Sequence, residues 1–241
     1  MKKPVPVPKA EFPMRINKYL ALKGYSTRRG ADELIQKHQV LLNGRFAVLG
    51  DKVLESDAVE VRSNKKASDY VYYAYNKPAG VATLAPNKGS KGIKESIDLK
   101  NVFPVGRLDK ESHGLIILTN DGRITDRLLN PIHTHDKEYV VKVKDKLRNN
   151  FKEKMEAGVN IEGYVTKPSE VKLLDETSFS ITLTEGKKHQ IRRMVVALFG
   201  EVRDLKRVRI MNITLGKLAP NSYRKIEGEE LKIFLTSLGL L

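Results

Sequence analysis

Among the residues of this chain, Asp109 has the neighbours best suited to chemistry. It lies in Gly106-Arg-Leu-Asp-Lys-Glu-Ser-His-Gly114, among cations and at the mouth of the apolar run Leu115-Ile-Ile-Leu118. Gly106 and Gly114 free the backbone on either side, and the apolar run reads as a buried strand that would hold the loop rigid. A lone carboxylate so placed can attack a carbon centre, stabilise developing positive charge or remove a proton. A polar surface turn before a core strand has the same composition, so the rest of the chain must decide between the two. A hydrolase would ordinarily need a second carboxylate, for which Glu111 is the nearby candidate. Two other residues bear on the question. Arg192 flanks the apolar stripe Ile191, Met194, Val195 and Leu198 of a helix expected over 187–199. It suits a surface position, a structural ion pair, or an ion pair with Asp109. Tyr139 alternates with Val140 in a strand, where its ring can pack in the core or meet a flat base.

The elements that would position these residues fall into two units. From Met14, the helical spacing of Ile16, Tyr19 and Leu20 predicts a helix stopped by Gly24. Ser26 or Thr27 can cap a second helix with Ala31, Leu34 and Ile35 inside. Val40 to Leu42 then turns at Asn43-Gly44, a hairpin dipeptide, and Val53 to Val61 closes the unit at residue 62. Residues 63–69 are polar enough to read as a linker. Over 70–241 the chain alternates irregularly between strands and helices, with a Gly, Pro and Lys-rich stretch from Asn76 to Gly92 that could close over a substrate. Strands are expected over Val71–Tyr75, Leu115–Leu118 and Glu138–Val143, and helices near Asn120, over Leu147–Ala157 and over Glu229–Leu238. The fold class is α+β: a small helix-and-sheet unit before a mixed, mainly antiparallel domain.

The chain has 241 residues, and its 44 Lys and Arg against 29 Asp and Glu leave a net charge of +15. That bias runs the whole length and attracts polyphosphate partners, nucleic acid first. No apolar run approaches 18 residues, which excludes a membrane span. The absence of cysteine excludes disulfides, thiolate catalysis and cysteine zinc sites. The histidines show no metal spacing, since His133 and His135 would project to opposite faces of a strand. Residues 1–13 lack the apolar core of a signal peptide and read as a basic, Pro-rich arm. A cytoplasmic protein fits. Arg15, Lys18, Arg28 and Arg29 crowd the outer side of the first two helices, as a solvated face or a phosphate-binding one.

Arg15-Ile-Asn-Lys-Tyr-Leu20, Gly24-Tyr-Ser-Thr-Arg-Arg29 and Val40-Leu-Leu-Asn-Gly44 resemble the S4 RNA-binding domain. Asn76-Lys-Pro-Ala-Gly80, Gly106-Arg-Leu-Asp109 with Gly114-Leu115 and Thr119-Asn-Asp-Gly122, Lys137-Glu-Tyr139, and Glu185-Gly-Lys-Lys-His-Gln-Ile-Arg-Arg-Met194 follow in order. On these segments the chain, from Met14 almost to its end, resembles the RsuA/RluB/RluF family of ribosomal RNA pseudouridine synthases, most closely the RluF branch. The resemblance implies a pseudouridine synthase domain behind the S4-like one. It implies that Asp109 is the catalytic aspartate, Tyr139 the tyrosine under the uracil and Arg192 the aspartate's ion-pair partner. Arg107 would hold the extruded nucleotide, Leu108 and Ile191 would wall the pocket dry, and Lys77 would complete the substrate contacts. Arg15, Lys18, Arg28 and Arg29 would grip RNA.

The implied reaction breaks the N1–C1′ bond of a uridine, turns the uracil and joins C5 to C1′. It conserves atoms and oxidation state, so neither a metal nor another cofactor is expected. The implied substrate is 23S ribosomal RNA of the large subunit, free or in an assembling particle, with small-subunit RNA or a tRNA anticodon arm as alternatives, and the implied form is a monomer. A non-catalytic RNA-binding protein would share the charge and the S4-like segment but leaves Asp109, Tyr139 and Arg192 together unexplained.

Overall fold

The computed structural model describes residues 12–23, 25–26, 28–62, 70–84 and 91–241. Most of the expected arm, the expected linker 63–69, Gly24 and Thr27 lie outside these residues. The first unit starts with strand β1 (Met14–Arg15), which pairs with β4 (Lys52–Val53), so helix α1 (Ile16–Leu22) begins only after it. Helix α2 (Arg28–Gln36) lays Ala31 and Ile35 against Ile16 and Leu20 of α1, and all four are buried. Strands β2 (Val40–Leu42) and β3 (Arg45–Phe46) form the expected hairpin. Asn43 and Gly44 have φ of 51° and 81°, the left-handed values such a turn demands. β5 (Val59–Val61) pairs with the other edge of β2. The single closing segment expected over 53–61 is therefore two short strands, turned where Asp57 accepts from the Leu54 amide at 2.7 Å.

The second unit is built on one nine-stranded sheet. β6 (Tyr72–Lys77), β7 (Phe103–Val105), β8 (His113–Thr119) and helix α4 (Arg123–Leu129) lie in one half, and the four-residue helix α3 (Ile93–Ser96) packs beside them. β9 (Lys137–Val143), helix α5 (Phe151–Ala157) and the short pair β10 (Asn160–Ile161) and β11 (Tyr164–Val165) follow. β12 (Glu170–Asp175), β13 (Ser178–Leu183), helix α6 (Gln190–Ala197), β14 (Val202–Ile210), β15 (Ile213–Thr214), β16 (Tyr223–Lys225) and helix α7 (Gly228–Ser237) complete it. The order is β12-β13-β9-β14-β8-β6-β16, with β7 and β15 pairing at the side of β8 and β14. Every ladder is antiparallel except β8 with β14.

The run Leu115-Ile-Ile-Leu118 is apolar throughout because β8 is covered on both faces. Leu115 and Ile117 face a core with Ile124, Leu128, Phe234 and Leu238 from α4 and the chain end, and Ile116 and Leu118 face another with Tyr75, Ile93 and Leu108. Each such side chain contributes about 1.5–3 kcal/mol of burial, which anchors the Asp109 turn at the strand's start. A third core, under α5 and α6, fills the β9–β13–β14 half with Val141, Phe179, Ile181, Met194 and Val195. The ladder that joins the two halves has two register pairs, Lys206 with His113 and Arg207 with Gly114, beside a core in which Leu115 and Ile117 share packing with Ile210 and Ile213. Gly114 has φ of 105°, and a Cβ there would lie 2.2 Å from the Arg207 carbonyl oxygen. The joint therefore requires glycine.

Candidate active site

The turn that carries Asp109 is fixed on both sides. Leu108 is clamped by Thr83, whose hydroxyl donates to the Leu108 carbonyl at 2.7 Å and lies 3.0 Å from the Leu108 amide that donates to it. The Lys110 carbonyl accepts from the Gly80 amide at 2.8 Å and from the Lys77 ammonium at 3.3 Å. The Ser112 amide closes the turn on the Asp109 carbonyl at 3.1 Å. With its backbone so held, the Asp109 carboxylate is 40% exposed, facing a cleft.

Lys77, expected among the substrate contacts, lies beneath this turn. Its ammonium is fully buried and donates to the carbonyls of Pro78, Val81 and Lys110, so its three donors are engaged in tying the Asn76–Gly80 segment to the Asp109 turn. Burial pushes its pKa down to about 8, against the pull of Glu111 and Asp109.

Arg192 also differs from expectation. Its guanidinium donates to the Ser112 hydroxyl at 3.2 Å and reaches the Val202 carbonyl at 3.5 Å, so it braces the far end of the turn, and it makes no ion pair with Asp109. The cationic-type side chain nearest Asp109 is His189, with Nε2 3.4 Å from Oδ1, an ion pair when the imidazole is protonated. His189 stands at the start of α6 with φ of 52°. The loop before it is stapled by Glu185, which accepts from the Tyr164 hydroxyl at 2.6 Å, the Lys167 amide at 3.1 Å and the Gln190 side chain at 2.8 Å. His189 escapes sequence reading because its place depends on this loop geometry. Its neighbours in His-Gln-Ile-Arg-Arg were the available signal. Of the carboxylates that a two-acid mechanism would recruit, Glu111 is exposed and off the cleft, and Glu185 is engaged three times.

Tyr139, Leu108 and Ile191 line the cleft with Asp109, as their expected roles require, and Arg107 is exposed on its wall. Leu108 and Ile191 are 8% and 4% exposed. One row of register partners crosses the sheet beneath them: Lys77 with Gly114, Gly114 with Arg207, Arg207 with Tyr139. Arg207 is buried, donates through Nε to the Leu115 carbonyl at 2.7 Å and sets its guanidinium carbon 6.0 Å from the centre of the Tyr139 ring. Lys137, on the same strand face as Tyr139, also lines the cleft, and burial, then the Arg207 charge, push its pKa down to about 8. His133 and His135 are not on a strand. Thr134 turns left-handed between them, and the rings stack 5.9 Å apart. No group of three or more metal-ligating side chains occurs among the described residues.

Thr119-Asn-Asp-Gly122 has a structural task. Asn120 and Thr119 hold the start of β6 through the Val71 amide and carbonyl, and the fully buried Asp121 accepts from the Tyr72 hydroxyl and pairs with Arg123.

The cleft measures about 2000 Å³. That exceeds the ~300–1000 Å³ of small-molecule pockets and suits a segment of a polymer. Ser26, Arg28 and Arg29 of the first unit line it, so both units border one space. Arg15 and Lys18 are exposed but lie off it. Leu84 and Lys94 line it from either side of residues 85–90, which are outside the described set. No helix among the described residues is long and apolar enough to cross a membrane.

Residues 71–197 match the family model of RNA pseudouridylate synthase, and residues 14–59 match the S4 domain. The dual-specificity RNA pseudouridine synthase RluF of Escherichia coli K12 is 40% identical over 223 residues, spanning 90% of this chain and 77% of the relative. The ribosomal large subunit pseudouridine synthase B of Bacillus subtilis strain 168 is 36% identical over 229 residues, spanning 90% and 94%. A crystal structure described as a pseudouridylate synthase superposes with a TM-score of 0.68 at 27% identity, over 91% of this chain and 98% of that one.

Proposed function

The chain belongs to the RNA pseudouridylate synthase family and isomerises uridine in RNA, and from that premise we propose that its target is a uridine of 23S ribosomal RNA, reached by extruding the base and acted on by Asp109. One observation carries the reading. A half-exposed carboxylate on a rigid turn opens into a basic, polymer-sized cleft shared with the S4 helix α2. The large-subunit assignment is supported by the Bacillus subtilis relative, a ribosomal large subunit pseudouridine synthase. The dual specificity of the Escherichia coli relative favours a second RNA, such as a tRNA anticodon arm, in the same cleft.

In this mechanism the exposed cations Arg28 and Arg29 take the RNA backbone, and Arg15 and Lys18 extend that surface. The target base leaves its stack at a cost of a few kcal/mol, and Arg107 on the cleft wall holds the extruded nucleotide. Asp109, fixed by Thr83 and Ser112, meets the sugar, and Tyr139 lies against the uracil. Leu108 and Ile191 keep water from the sugar, whose capture would turn isomerisation into glycosidic hydrolysis. Arg192 braces the turn through Ser112. The protein acts as a cytoplasmic monomer on free or assembling large subunits.

Carbodiimide mapping with primer extension on unmodified ribosomal RNA and tRNA, with wild type and Asp109→Ala, tests the reading. A single stop on 23S RNA that disappears in the variant is the expected result. A stop confined to 16S RNA would move the target, and stops that survive in Asp109→Ala would remove Asp109 from the chemistry.

A further inference from the structure

Arg207 holds a cation where a cation is costly. It is 3% exposed, and the buried ammonium of Lys77 and the half-buried one of Lys137 lie close enough to feel its charge. Its Nε is satisfied by the Leu115 carbonyl, yet its Nη2 is buried with no hydrogen-bond partner in the protein. A buried donor of a charged group left unmatched costs about 1–3 kcal/mol or more, so its persistence calls for an acceptor that arrives from outside. The guanidinium lines the cleft beside the ring of Tyr139. A flat ligand held at that ring would lie within reach of Arg207.

On the reading above, that object is the extruded uracil, and we propose that Arg207 is the residue that holds the base while it is detached. When the N1–C1′ bond breaks, its electron pair stays on the ring, and the negative charge spreads over N1, O2 and O4. Nη2 donates to one of these carbonyl oxygens, and the guanidinium charge balances the anion. The ring then turns about the axis through N3 and C6. That turn exchanges N1 with C5, and it also exchanges O2 with O4, so a donor fixed at one place meets a carbonyl oxygen before and after. The C5 π electrons form the new bond to C1′, C5 gives its proton to solvent, and N1 takes one up. The base is thus retained without being locked in one orientation. Arg207 can serve in this way because its Nε is anchored to the backbone of β8 and because Gly114, its register partner, leaves no side chain in between.

The test follows the fate of the base. With the RNA mapped above, Arg207→Gln is expected to lower kcat about 10- to 100-fold with little change in KM, and to release free uracil, leaving an abasic site that aniline cleaves. Arg207→Lys, which keeps the charge without the fork, should retain more pseudouridine and release less uracil. A second arm needs no variant: wild-type enzyme on the same RNA with 2-thiouridine or 4-thiouridine at the target should be slowed by both, since sulfur is the poorer acceptor. Replacing the neighbouring phosphates by methylphosphonates should weaken binding equally in wild type and Arg207→Gln. Wild-type insensitivity to both thio substitutions would overturn the proposal. So would an Arg207→Gln enzyme that reacts at the wild-type rate, or a methylphosphonate penalty that vanishes in that variant, which would assign Nη2 to a phosphate. Loss of Asp109 dependence in the mapping experiment would instead remove the reading on which the proposal rests.

Discussion

Asp109 was legible in the sequence because its surroundings are local: two glycines, flanking cations and the start of an apolar strand all lie within a few residues. What restrains it was not, since Thr83, Lys77, His189 and Arg192 come from distant segments. The same limit explains Lys77 and Arg192, whose residue types fit substrate or carboxylate contacts but whose partners depend on which carbonyls and hydroxyls the fold brings near. Two changes probe the residues around the acid. Tyr139→Phe should keep most activity if the ring serves by stacking, and Tyr139→Leu should lose about 5- to 150-fold in kcat/KM on RNA, the worth of a base–aromatic contact. Equal loss in both would make the hydroxyl essential. Lys137 tests the charge of the cleft floor through stability. Its folded pKa lies below its unfolded value, so the unfolded chain binds more protons between about pH 8 and 10.5, and stability rises with pH across that window. Urea unfolding of wild type should therefore gain on Lys137→Met as pH rises from 8 towards 10, and a parallel pair of curves would show that the ammonium is not disfavoured by burial.

The helices followed from periodicity where one face is buried, as in α2 and α6, β8 followed from its unbroken apolar run, and element ends shifted where pairing took over. Met14–Arg15 joined β4 before the helix could start, and α5 begins at Phe151, four residues after the expected Leu147. Strands β7 and β16 went unread, since Phe-Pro-Val is broken by a proline and Tyr-Arg-Lys is too short and polar to show a period. The joint between β8 and β14 was unreadable for a different reason, because its ladder pairs residues about ninety positions apart at two register positions. Yet it sets the geometry of the site, placing Gly114 against Arg207 and the Asp109 turn above them. Gly114→Ala should cost about 3 kcal/mol or more in denaturant unfolding, since a β-carbon would collide with the Arg207 backbone at a positive φ. Gly80→Ala, which meets nothing within 4 Å, should cost less even though its φ of 82° is also strained. A Gly114→Ala protein of wild-type stability would mean that the halves of the sheet are free to part there.

The charge of +15 is arranged as well as large. Arg28 and Arg29 of the S4 unit face the cleft that holds Asp109, and Arg15 and Lys18 stand outside it. Removing residues 14–62 should therefore weaken RNA binding and flatten its dependence on salt, by a slope of about 3–4 if four phosphate contacts are lost, while single-turnover chemistry on bound RNA falls less. Unchanged slopes would detach the S4 unit from the substrate. The central claim is that Asp109 starts an isomerisation in which C5 of a uridine gives up its hydrogen, and this is measured most directly by tritium release from RNA transcribed with [5-³H]uridine. Wild type should release one tritium to water for each target uridine, and Asp109→Asn, isosteric and uncharged, should release none while binding the RNA as tightly. Release from the Asn variant at the wild-type rate would contradict the account.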